Sequence, residues 1–128
     1  MLREQSILHI RPDIAFEQIH SNPDQLFQDK TLRPILKLQH ALIIGLFNDY
    51  LASHKIDFKQ LTESQRNIKI DQILKQNQAL QALLKGVIIG LFTTEEITFW
   101  KNNKIAVNKR IQQLLIKRIQ STFIEKEN

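Results

Sequence analysis

The chain has 128 residues, of which 42% are hydrophobic and 24% charged, with a formal net charge of +5 and no cysteine. That length suits one domain with a proper core, and the lack of cysteine excludes disulfides, thiolate metal sites and cysteine nucleophiles. Three glycines and three prolines are few for a turn-rich β fold, which favours helices.

Residues 1–11 include Ile7, Leu8 and Ile10 without a clear period and read as an arm packed on the body. Met1-Leu2-Arg3-Glu4-Gln5 lacks the apolar core of a signal peptide. Pro12-Asp13 is expected to open a short helix through Ile19. Asn22-Pro23-Asp24 is a stronger start, with an N-capping amide, proline at the first helical position and an acid in the first turn. Thr31 is expected to cap a long helix to about Ser53, with Pro34 in its first turn, where a missing N–H does no harm. Lys55 to Phe58 is a connector. Thr62-Glu63-Ser64-Gln65 has the form of a capping box, and Ile70, Ile73 and Leu74 continue that helix. At Asn77 the pattern allows either a fresh helix or continuation to Phe92. Thr93-Thr94-Glu95-Glu96 is a second capping box, opening a short helix to about Trp100. After Asn102-Asn103 a last helix places Val107, Ile111, Leu114, Leu115 and Ile119 on one face.

No stretch alternates with period two for long enough to make a sheet. The expected fold is all-α, a helical bundle of three to four long helices with short connecting ones, in a single domain over 1–128. The longest apolar runs, around 41–47 and 86–92, are too short to span a bilayer, so a cytoplasmic protein with no membrane contact is expected.

Ile43-Ile44-Gly45-Leu46-Phe47 returns unchanged as Ile88-Ile89-Gly90-Leu91-Phe92. On a helical wheel Ile35, Leu42, Ile43, Leu46 and Tyr50 share one face of the first copy. Leu80, Leu83, Leu84, Val87, Ile88 and Leu91 do so in the second. Small residues occupy the flanks: Ala41 and Gly45 in one copy, Ala82, Gly86 and Gly90 in the other. A helical glycine costs about 1 kcal/mol against alanine, and close approach of another backbone would offset it. The repeat helices are therefore expected to cross each other, or a symmetry mate, at Gly45 and Gly90.

The run Leu32-Arg33-Pro34-Ile35-Leu36-Lys37-Leu38-Gln39, leading into the first repeat, resembles a family of small all-helical bacterial proteins of uncharacterised activity. The resemblance implies a helical fold. Some members of that family carry a glyoxalase assignment, but a glyoxalase fold needs β-strands and a His/Glu metal cage, and neither is legible here.

His9, His20, His40 and His54 show no metal-ligand spacing with a carboxylate, and His40 is expected to be a packed or hydrogen-bonded neighbour of the core. Glu95 and Glu96 point about 100° apart on a helix and are explained by capping and the helix dipole. No nucleophile elbow or phosphate loop is present, so no catalytic residue, cofactor or metal is assigned.

Three functions stay open. The first is interaction, as a homodimer or in a complex, because Ile44, Ile89, Phe99, Trp100 and Phe123 lie off the main stripes and would be exposed in a monomer. The second is nucleic-acid binding. The positive charge resides in residues 101–128, where Lys104, Lys109, Arg110 and Lys117 are candidate phosphate contacts, with Gln112, Gln113 and Gln120 as amide donors. The third is a polar pocket formed by Gln39, Asp49 and Tyr50 on a face that should be buried. Arg118 falls on the apolar stripe of the last helix and is expected at an exposed end.

Overall fold

The computed structural model describes residues 2–13 and 22–125, with side chains through Phe123. Helices and no strands occur among the described residues. They run α1 (Arg3–Ile10), α2 (Pro23–Phe27), α3 (Arg33–Leu38), α4 (His40–Ser53), α5 (Glu63–Gln76), α6 (Gln78–Ile89), α7 (Thr94–Asn102) and α8 (Lys104–Glu125). None of these helices is long and apolar enough to cross a membrane. The expected helix from Pro12 to Ile19, and His20, lie outside the described residues.

Local chemistry sets most of the starts. Asn22 Oδ1 accepts from Gln25 N–H at 2.8 Å and Pro23 occupies the first turn. Thr62 and Gln65 cap each other reciprocally, as do Thr93 and Glu96. The ambiguity at Asn77 resolves into two helices. Asn77 leaves helical geometry at φ −90° and ψ 100°, and its side chain caps α6 through Leu80 N–H at 2.9 Å.

Thr31 does not cap a helix. The chain passes from α2 to α3 through a π-helical turn at Gln28–Leu32. Pro34 explains it: a proline ring clashes with the carbonyl four residues back and supplies no N–H. A wider turn, in which Arg33 N–H bonds to Gln28 O, carries the helix past that point. The Thr31 side chain is released for a long-range bond, described below. A bend at Gln39, with φ −92° and ψ 8°, separates α3 from α4, so the long helix expected from Thr31 to Ser53 is broken.

One cluster of buried side chains joins α2 to α8. Helix α8 supplies Val107, Ile111, Leu115, Ile116, Ile119 and Phe123, and packs against both α5 and α6. Amides from α8 cross-brace α5: Gln112 Nε2 donates to Leu74 O at 3.2 Å and Gln120 Nε2 to Asn67 O at 3.0 Å. Rings form two groups. Phe47, Phe58 and Phe123 meet edge to face with centroids 5.1 to 6.1 Å apart. Phe27 stacks on Phe99 at 4.5 Å and meets Phe92 edge-on at 5.5 Å.

These rings decide the phase of α4. Its buried residues are Ile43, Ile44, Phe47 and Leu51, rather than the stripe through Leu42 and Tyr50. The helix is apolar nearly all round, so periodicity alone leaves its rotation open, and Phe47, which is fully buried, has the most surface to remove from water. Ile44 and Phe123 are consequently core residues, and Ile89, Phe99 and Trp100 pack on that core. The expectation that they form an exposed surplus is corrected.

Candidate functional site

The end of α3, with α4 and α6, leaves apolar and small residues outside. Leu38, Leu42 and Leu83 are 38%, 48% and 49% exposed. Beside them Ala41, Gly45, Ala82, Gly86 and Gly90 are also exposed. The two helices touch, and the Gln39 side-chain amide donates to Val87 O at 3.2 Å. Helical spacing sets Leu42, three residues after Gln39, and Leu83, four before Val87, next to that contact. The small residues therefore do not mediate a crossing of α4 over α6 within one chain, which leaves the other expectation, a crossing with a symmetry mate. The reason is the rotation of α4 and α6 that buries Phe47, Leu84 and Ile88.

A Cβ added at Gly45 or Gly86 meets nothing within 4 Å, whereas at Gly90 it would sit 2.9 Å from Gly86 O. Both open glycines lie inside helices, so within one chain they carry their full propensity cost with no offsetting contact. Gly45→Ala and Gly86→Ala are expected to raise the stability of the isolated chain by about 0.5 to 1 kcal/mol each. Gly90→Ala should lower it, and urea unfolding of dilute protein measures all three.

A second feature escaped sequence reading. Glu96 accepts from both terminal nitrogens of Arg11, at 2.8 and 2.9 Å, and from the Thr31 hydroxyl at 2.6 Å. It also accepts from Thr93 N–H at 2.9 Å. The Arg11 and Glu96 side chains are only 8% and 14% exposed. Burial pushes the Glu96 carboxyl up, but the bonds from Arg11, Thr31 and Thr93 outweigh it and hold the group below its ordinary value. A carboxylate so fully engaged is a clamp, tying the chain after α1, the π turn and the start of α7 into one unit. Arg11 also donates to Leu91 O at 3.0 Å, and Glu4 takes the Thr94 hydroxyl at 2.6 Å. Arg11 Nε and Asn67 Oδ1 are buried without a hydrogen-bond partner among the described residues. Glu95 stays exposed, as the divergence of adjacent helical positions requires. Capping by Glu96 was legible; its partner Arg11, distant in the chain, left no local signal.

The polar-pocket residues are not brought together. Gln39 is used at Val87, Asp49 is exposed, and Tyr50 OH accepts from Asn77 Nδ2 at 3.4 Å while its ring stacks on His54 with centroids 4.0 Å apart. None of the three lines any of the three clefts that follow. A polar cleft of about 550 Å³ separates Asp24, Gln25 and Gln28 from Lys109, Arg110 and Gln113. Another, of about 520 Å³, has Leu8, Leu26, Phe27 and Phe99 as apolar walls beside the Arg11–Glu96 clamp. A third, of about 110 Å³, lies over Leu84 and Ile111 with Lys85 and Lys109 at its rim.

Of the basic candidates, Lys104, Lys109, Arg110 and Lys117 are all exposed. Lys104 Nζ lies 4.8 Å from the centre of the Trp100 ring, and the Trp100 indole donates to Asn108 Oδ1 at 2.8 Å. Gln112 and Gln120 are spent on α5, so only Gln113 among the expected amides points outward. Arg118 is half-buried, not at an exposed end, and donates to His40 Nδ1 at 3.1 Å. A guanidinium has no acceptor, so His40 presents an unprotonated Nδ1. Burial, and after it the charge of Arg33, lowers the Arg118 pKa. Among the described residues no three histidine or acidic side chains gather as a metal site would require.

No protein-family model, curated protein or solved structure matches this chain. The functional reading therefore rests on its own residues.

Proposed function

We propose that this chain is a non-enzymatic helical interaction protein, working in the reducing cytoplasm that its lack of cysteine suits, and that the exposed face of α4 and α6 is its binding surface. The observation that carries the reading is the pairing of exposed Leu38, Leu42 and Leu83 with Gly45 and Gly86, where an added Cβ would meet nothing within 4 Å. Apolar side chains grouped on a surface mark a contact site. Helical glycines with no neighbour are a cost that a second backbone, lying over them, would offset.

The test is Leu42→Glu with Leu83→Glu. Both side chains stand half out of the fold, so the pair of changes should leave unfolding free energy within about 0.5 kcal/mol per site. Association measured by size-exclusion chromatography with light scattering should be lost. A stability loss of several kcal/mol would mean these leucines are packed inside one chain, and the binding surface would not exist.

The second reading, phosphate binding by α8, is favoured by the exposure of Lys109, Arg110, Gln113 and Lys117 along one side of that helix. Anisotropy of labelled oligonucleotides at about 50 and 200 mM salt separates the two. The interaction reading expects no binding at either salt. Binding that weakens steeply with salt, and disappears when Lys109, Arg110 and Lys117 are changed to Gln, would select the second.

A further inference from the structure

Lys37, Ala41, Gly45 and Asp49 follow one another at four-residue spacing, which aligns side chains along one ridge of a helix. All four are exposed. The chain bends at Gln39, where Gln39 N–H bonds to Ile35 O and Ile43 N–H to Gln39 O, both at 2.9 Å, so Lys37 ends α3 and Ala41, Gly45 and Asp49 follow on α4. The ridge thus has small residues at its middle, a cation at its start and an anion at its end. Leu38 and Leu42 stand beside it. Among the described residues neither Lys37 nor Asp49 makes a hydrogen bond or ion pair through its side chain.

We propose that the occupant of this face is a second copy of the chain, its α4 crossing the first antiparallel about a two-fold axis beside Ile43, with Lys37 of each copy paired to Asp49 of the other. This rests on the reading of α4 and α6 as a binding surface and adds the partner and its orientation. The axis midway between Ala41 and Gly45 is also midway between Lys37 and Asp49. One operation therefore sets each Ala41 over the other copy's Gly45 and each Lys37 beside the other copy's Asp49. That is the self-complementarity an isologous interface requires. A parallel crossing would set Lys37 against Lys37 and Asp49 against Asp49. Alanine and glycine at the crossing let the backbones approach, and the leucines fill the flanks. Lys37 lies about 9 Å along the helix from the axis at 1.5 Å per residue, and its long stem covers the sideways offset of a typical crossing.

The test is charge reversal in the full chain, read by sedimentation equilibrium at low salt. Lys37→Asp and Asp49→Lys should each weaken dimerisation about tenfold, because each places two like-charged pairs in the dimer. Mixing the two variants should restore it, since in the mixed dimer every pair is again of opposite sign. Because the chain has no cysteine, Lys37→Cys mixed with Asp49→Cys should be joined between copies by a short bismaleimide cross-linker, whose span replaces the lysine stem, with neither variant linking to itself. If Leu42→Glu abolishes the dimer but mixing restores nothing, or each cysteine variant links only to itself, the antiparallel arrangement is overturned and the binding surface stands. If the unmodified chain stays monomeric at millimolar concentration, the second copy is overturned as the occupant.

Discussion

Glu96→Gln should cost about 3 kcal/mol of unfolding free energy, the loss typical of breaking a buried ion pair and leaving its partner behind. The amide oxygen can still accept from only one of Thr93 N–H and the Thr31 hydroxyl, which bond to different carboxylate oxygens. It cannot balance the Arg11 charge, whose side chain is 8% exposed and has one nitrogen already without a partner among the described residues. The double variant Arg11→Met, Glu96→Gln should recover part of the loss, because the stranded charge is gone. Chemical denaturation measures all three proteins, and a single-variant loss under about 1 kcal/mol would mean the pair is effectively solvated. The same carboxylate sets a pH dependence. Its pKa in the folded chain is lowered from the ordinary 4.5, so the unfolded chain takes up the proton first. The stabilisation is complete above that ordinary value and fades as pH falls through the lower folded value. Glu96→Gln should flatten this part of the acid unfolding curve.

Phe47→Ala should cost about 3 to 5 kcal/mol, as truncation of a fully buried ring does when the surroundings cannot close the space. Phe47 has no exposed surface, and Phe58 and Phe123 pack on it edge to face. Those neighbours come from the connector after α4 and from the end of α8, so the loss loosens three segments at once. Phe47→Leu, which keeps most of the volume, should cost less than half as much. Thermal unfolding followed by circular dichroism checks the order of the two, and equal small shifts would place Phe47 outside the core. The contrast with Leu42→Glu, five positions earlier on the same helix, distinguishes the buried side of α4 from the side assigned to a partner.

The all-α class and most helix starts were legible because they depend on neighbours in the chain. Asn22, Thr62 and Thr93 cap as their side chains and spacing imply, and Asn77 adds a cap where the pattern was ambiguous. Thr31 failed the same rule because Pro34 lies three residues on, and the π turn it imposes displaces the cap. The rotation of α4 was not legible. Leucine, isoleucine and phenylalanine surround that helix, and only the three-dimensional meeting of Phe47 with Phe58 and Phe123 selects a side. Once Phe47 turns inward, Leu42 and Gly45 turn outward, which converts an expected internal crossing into an open face. The Arg11–Glu96 clamp was hidden for a related reason: its parts come from distant segments, and no periodicity records such a contact. Glycine placement suggested a crossing within the chain or with a symmetry mate, and the open space at Gly45 and Gly86 removes the first.

The most direct measurement is sedimentation velocity of the unmodified chain and of Leu42→Glu, from micromolar to millimolar concentration. An average mass that climbs toward a dimer for the unmodified chain, with Leu42→Glu fixed at the monomer, is the result this account predicts. Identical behaviour of the two proteins across the whole range would contradict self-association through the exposed face of α4 and α6.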